Sequence, residues 1–176
     1  MRMLIKIVCI GDVSLDLGEV GREILKRLRP PFSGFVAGGR VDPPAGAYDE
    51  RRGQYDGNVF LRSLVNLAGE RILGITELDL FTPGLNFIFG IAQCPGRAAI
   101  VSLSRLKPEF YGLPPDRGLL LERAVKECMH ELGHTLGLGH CRQKVCVMGF
   151  SNSVSDVDRK MSELCRECWN KLLAHA

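Results

Sequence analysis

The first apolar run, Leu4 to Ile10, is compact, rich in β-branched residues and bounded by Gly11, so it predicts a strand. From Asp16 to Leu28 the residues Val20, Ile24 and Leu28 recur every four positions, which is one helix face, and Pro30-Pro31 ends it. Gly34 to Gly38 is a candidate short strand. Pro43 to Gly57 is polar and rich in turn formers and predicts a loop. Helical spacing returns from Val59 to Leu73, carried by Phe60, Leu64, Leu67 and Ile72. Leu78–Phe81 is a further short strand. Asn86–Ala92 and Ala98–Leu103 predict strands on either side of a tight turn at Gln93-Cys94-Pro95-Gly96-Arg97. Pro114-Pro115-Asp116 announces a helix to about Leu136 with Asp116 as its N-cap. A last helix is expected from Asp158 to Leu173. The pattern is that of a mixed α/β domain ending in a cysteine-rich tail, with no internal repeat, low-complexity tract or linker.

The length of 176 residues suits a single domain. At 45% hydrophobic and 24% charged, the composition is that of an ordinary globular protein. A formal charge of +3 does not point to nucleic acid or to an anionic membrane. No apolar stretch approaches the roughly 20 residues that span a bilayer. The N-terminal run holds Lys6 and no small-residue cleavage site, so it is not a signal peptide. Nor is the removable pro-segment that keeps many secreted metalloproteases latent expected here. Seven cysteines without a secretory signal argue against a disulfide framework and for a cytoplasmic protein. Cys9, Cys94 and Cys128 are expected to be small buried hydrophobes.

The decisive stretch runs from His130 through Glu131, His134 and Gly137 to His140. Residues four apart share a helix face, so His130 and His134 can turn ring nitrogens toward one metal ion. Leu121, Val125, Cys128, Leu132 and Leu136 cluster on the opposite side and anchor the helix. Glu131 lies about 100° round the helix from His130, close enough to reach a water at the metal without binding the metal. Gly137 can adopt a left-handed C-cap and turn the chain so that His140 swings back as third ligand. Three neutral nitrogens leave a fourth position open, the catalytic arrangement for zinc. Chance produces such an extended pattern on the order of once in 10⁵ chains. A zinc site without catalysis remains the alternative.

Cys141 follows His140 directly, and Cys146, Cys165 and Cys168 follow at metal-ligand spacing. Four thiolates from two segments suit a closed structural zinc site. With two zinc ions and four thiolates the net charge stays at +3.

Together the HExxHxxGxxHC stretch, the Cys-x-Met step at Cys146 and Met148, and the final CxxC resemble the archaemetzincin family of zinc metallopeptidases, in the metzincin clan. Arg52–Tyr55, Leu78–Ala92 and Ser104–Gly112 also look like that family, so the resemblance covers most of the chain. It implies a twisted, mixed five-stranded sheet above the active-site helix. It further implies a methionine, Met148, packed beneath the zinc-binding histidines. An antiparallel edge strand beside the cleft should pair with extended substrate, and Phe87–Ile91 is the candidate. The spacer between Met148 and Cys165 is a residue shorter than the family pattern. Where some metzincins carry a tyrosine after the methionine this chain has Phe150, and no such role passes to it.

The expected organisation is one metallopeptidase domain over 1–176. Residues 1–137 would form a subdomain with the sheet and active-site helix. Residues 138–176 would carry the methionine turn, the cysteine zinc site and the last helix. The expected activity is zinc-dependent peptide hydrolysis with Glu131 as general base, on peptide or protein substrates, by a monomer. Endopeptidase and aminopeptidase action both stay open. A rival reading is a peptide- or protein-binding module with little turnover, though a pure binder has no need of Glu131. A nucleic-acid module on the cysteine site would need a basic helix, and here Glu163, Glu167, Arg159, Lys160, Arg166 and Lys171 are mixed.

Overall fold

The computed structural model describes residues 3–28 and 30–174. In chain order the elements are β1 (Met3–Ile10), α1 (Leu17–Arg27), β2 (Phe32–Val41), β3 (Tyr48–Asp49), β4 (Gln54–Asp56) and α2 (Gly57–Val65). Then come β5 (Arg71–Thr76), β6 (Leu80–Phe81), β7 (Gly90–Ala92), β8 (Ala98–Ser102), a 3-10 turn (Pro108–Tyr111), α3 (Arg117–Thr135), α4 (Val154–Arg159) and α5 (Arg166–Ala174). A mixed five-stranded sheet has the order β2-β1-β5-β8-β7, parallel throughout except for β7, which runs antiparallel to β8 along one edge.

The central strands are apolar on both faces because both faces are covered. Ile5 and Ile7 of β1, Leu73 and Ile75 of β5, and Ala99 and Val101 of β8 enter a core with Val20 and Ile24 of α1 and Val125, Cys128 and Leu132 of α3. The alternate residues Val8, Ile10, Ile72, Ala98 and Ile100 meet Phe60 and Leu64 of α2 on the other side. Fully burying one such side chain contributes about 1.5–3 kcal/mol. The sheet thus forms a two-sided platform, with α3 and its histidines beneath the β8–β7 edge.

Several sequence expectations give way here. The helix expected over Val59–Leu73 ends at Val65, and Arg71–Thr76 is a central strand. The chain turns through Asn66–Gly69, where Gly69 has φ 148°, and the fourfold spacing of Ile72 after Leu64 was coincidental. The expected loop Pro43–Gly57 contains β3 and β4, which join β6 in a small second sheet. The strand expected from Gly34 to Gly38 runs from Phe32 to Val41. Of Asn86–Ala92 only Gly90–Ala92 is strand, so the edge-strand candidate Phe87–Ile91 overlaps it at Gly90 and Ile91, starting three residues early and ending one short.

The helix expected over Asp158–Leu173 is two helices separated by an extended segment. There Met161 N bonds Val145 O at 2.7 Å and Val147 N bonds Glu163 O at 3.2 Å. Backbone groups of that segment are therefore used by the cysteine loop and not by a helix. Cys128 is buried as expected, but Cys9 is only partly buried and Cys94 is exposed.

Candidate functional site

Helix α3 opens at Asp116, whose side chain accepts from Leu119 N at 2.9 Å. It closes in a Schellman arrangement: Leu138 N bonds Gly133 O at 3.0 Å and Gly137 N bonds His134 O at 2.9 Å. Gly137 takes φ 89°, the left-handed value that a side chain disfavours. The turn brings His140 back over the helix, as the glycine suggested. The rings of His130, His134 and His140 lie with centroids 4.6, 5.3 and 5.0 Å apart, and one nitrogen of each falls within 4.8 Å of the others.

Two of the rings are held from behind. His130 Nδ1 donates to Val147 O at 2.8 Å, and His134 Nδ1 donates to Leu138 O at 2.7 Å. Each Nε2 is then a bare lone pair, and the two Nε2 atoms face each other at 3.0 Å. Facing lone pairs at that distance call for a cation between them, and this is how ligating histidines are oriented. Burial pushes the His130 pKa well below its ordinary value, helped by the positive charge of Lys160; burial also lowers those of His134 and His140. All three favour the neutral form that binds metal.

Glu131 is buried and lines the same cleft, of about 570 Å³. Burial, reinforced by Glu127, raises its carboxyl well above the ordinary range, while Lys160 pulls the other way. Its side chain lies against β7: a Cβ on Gly90 would stand 2.7 Å from Glu131 Cγ and Oε1. Met148 is fully buried beneath α3, where a Cβ on Gly133 would meet its Sδ at 2.4 Å.

The four tail cysteines form a second cluster, all sulfurs within 4.8 Å of one another. Cys141 and Cys165 sulfurs are 3.8 Å apart, as are those of Cys146 and Cys168. A tetrahedral zinc with thiolates at about 2.3 Å requires sulfurs about 3.8 Å apart, so this donor set fits the ion. Cys165 precedes α5 and Cys168 lies in its first turn. Burial raises the thiols of Cys146 and Cys168; at Cys165 burial acts in the same sense, but hydrogen bonds, led by the Cys168 backbone, bring the net direction down.

Sequence reasoning missed three features. Gly133 and Gly90 occupy positions the motif leaves free, and only the packing of Met148 and Glu131 against them exposes their role. Lys160 was read as a surface charge on a helix. It is buried, donating to Glu127 Oε1 at 2.9 Å and Gly149 O at 3.3 Å. Its only sequence signal was the weak helix pattern around it. Among the described residues no helix is long and apolar enough to cross a membrane.

The sequence profile of Peptidase family M54 matches residues 19–174. Archaemetzincin of Methanocaldococcus jannaschii is 46% identical over 175 residues, which is 97% of this chain and 94% of that protein. The crystal structure of archaemetzincin from Methanopyrus kandleri superposes with a TM-score of 0.86 at 40% identity, covering 99% of this chain and 95% of that one. That of a zinc-dependent peptidase from Methanocorpusculum labreanum gives 0.82 at 31% identity, covering 96% and 99%. Similarity of this depth over nearly every element described above places the chain in peptidase family M54, the archaemetzincins, a family of zinc metallopeptidases.

Proposed function

We propose that this chain hydrolyses peptide bonds with a zinc ion held by His130, His134 and His140, and that Cys141, Cys146, Cys165 and Cys168 hold a second, structural zinc. The observation that carries the reading is the convergence of three back-bonded imidazoles beside a buried carboxylate that is not one of the converging donors. A zinc ion there supplies a Lewis acid that lowers the pKa of water and polarises a carbonyl. Glu131 takes the proton from the attacking water and hands it to the departing amine. A carboxyl whose proton affinity is raised by burial suits the second half of that task. Edge strand β7 offers free backbone groups beside Glu131, where an extended peptide can pair.

The test is incubation of the purified protein with a diverse peptide library, with and without a zinc chelator, and mass analysis of the products. Chelator-sensitive cleavage is expected. The cut positions separate removal of single N-terminal residues from internal cleavage. Binding of library peptides with no turnover by zinc-loaded protein would overturn the enzymatic reading and favour a peptide-binding role.

A further inference from the structure

One wall of the cleft is made by the segment between β6 and β7, through Leu85, Asn86 and Phe87. Little holds this segment from within. Its backbone bonds are Leu85 N to Thr82 O at 3.0 Å, Ile88 N to Leu80 O at 2.9 Å and, at its far end, Ser102 N to Phe89 O at 2.8 Å, and Leu85 is 50% exposed. Phe87, Ile88 and Phe89 pack against the cores, whereas the Leu85–Asn86 backbone is held by side chains from elsewhere. Arg52 Nη2 donates to Leu85 O at 2.8 Å and Asn86 O at 3.0 Å. Gln54 Nε2 donates to Asn86 O at 3.0 Å and to Asp79 Oδ2 at 2.9 Å, while Gln54 Oε1 accepts from Arg52 Nε at 3.0 Å. Arg105 grips both oxygens of Asp79 at 2.8 Å and lays its guanidinium over the Phe87 ring at 4.5 Å.

We propose that Arg52, Gln54, Asp79 and Arg105 are positioning residues that set the Leu85–Phe87 rim and thereby the affinity for the part of a peptide extending beyond the metal-binding residues. This rests on the cleft being the peptide site. It accounts for two stretches of the sequence, Arg52–Tyr55 and Ser104–Gly112, that lie far from the histidines in the chain and have no part in the chemistry. Arg52 and Gln54 grip main-chain carbonyls, so that part of the clamp fixes the height of the rim whatever side chains the rim presents. Arg52 is itself exposed, but its guanidinium lies 4.1 Å over the ring of buried Phe81, so removing it uncovers that ring as well as loosening the rim. The Arg fork matters as well as the charge, since Nε holds Gln54 while Nη2 holds the two carbonyls, a planar two-atom grip that a single ammonium nitrogen does not reproduce.

The experiment compares Arg52→Ala, Arg52→Lys and, as a neighbouring control, Arg51→Ala, all zinc-loaded. Two probes are titrated by calorimetry: acetohydroxamate, which reaches only the metal, and a tripeptidyl hydroxamate, which also spans the cleft. Arg52→Ala should weaken the tripeptidyl probe ~10-fold, the loss expected of charge-assisted bonds to the rim, with Arg52→Lys in between. Acetohydroxamate affinity should not move, and Arg51→Ala should change neither. In peptide hydrolysis the same variant should raise KM and spare kcat, a split that general destabilisation does not produce. Unchanged affinity of Arg52→Ala for the tripeptidyl probe overturns the proposal, as does a wild type that gains nothing from the peptide portion. A wild type that binds the long probe tightly but cleaves no peptide refutes the enzymatic reading alone, and the affinity arm still decides the rim.

Discussion

Glu131 sits one residue from His130 yet lies against Gly90 of the edge strand, and that placement decides what its loss should do. Glu131→Gln keeps the shape and removes the proposed proton carrier. The variant should retain its zinc and its melting temperature while hydrolysis falls by on the order of 10²–10⁴, measured by metal analysis beside peptide turnover. Turnover at the wild-type rate would mean that water is activated by another group. Gly133 has the opposite character. A methyl group there would have to displace Met148 Sδ, which it would approach to 2.4 Å, in a fully packed floor. Gly133→Ala should cost about 1–3 kcal/mol in denaturant unfolding and lower zinc affinity by tilting the helix that carries His130 and His134. Wild-type stability would show that Met148 has somewhere else to go. These residues also mark how far the site could be read from the chain. The histidines and Glu131 stand out because ligand chemistry allows few residue types. The need for glycine at 133 and 90 is set by partners remote in sequence, and no spacing rule carries it.

At the scale of elements, α3 and α1 were legible nearly to the residue because both carry a side-chain N-cap and one long apolar face. Strand β5 was not, because Ile72 and Leu73 both point into cores, and a doubly buried strand shows no alternation to separate it from a helix. The break between α4 and α5 was hidden for a different reason. Nothing in the local sequence demands it; Met161 is 52% exposed and the segment is drawn out by bonds to the cysteine loop. The end of α3 was legible because Gly137 signals its own conformation. A Cβ there would find nothing nearer than Pro95 at 3.8 Å, so a substitution meets backbone strain and no clash. Gly137→Ala should therefore destabilise by about 1–2 kcal/mol, and Gly137→Asn by less, since asparagine tolerates the left-handed region better. Equal unfolding midpoints for the two variants would point to side-chain crowding instead.

Across the whole molecule the two donor clusters are joined by one loop. His140 and Cys141 are consecutive, Cys141 N bonds Met148 O at 2.9 Å, and Cys165 N bonds Cys146 Sγ at 3.4 Å. Val147, next to Cys146, supplies the carbonyl that orients His130. The cysteine cluster thus touches the support of His130 as well as the chain leading to His140. A closed set of four thiolates should hold zinc more tightly than three imidazoles with an open position, so mild chelation should leave one zinc of two. A second set of ties competes with the cluster for the role of clamp. Arg123 forks onto Asp158 at 2.7 Å, and Lys160 is buried against Glu127, so α3 already grips the C-terminal segment without metal. Lys160 also donates to Gly149 O and Met161 N bonds Val145 O, but at Cys141, beside His140, and at Cys146, beside Val147, the loop meets the C-terminal segment through Cys165 and Cys168. We therefore expect the cysteine zinc to be the element that preorganises the histidines. In folded Cys165→Ser protein, zinc affinity at the histidine site should drop about 10–100-fold, the usual loss when the outer support of a ligand is removed. The measurement is competition for zinc against a calibrated chelator, made at a temperature where circular dichroism shows the variant folded. Affinity equal to wild type would show that the buried ion pairs suffice and that the two sites are energetically independent.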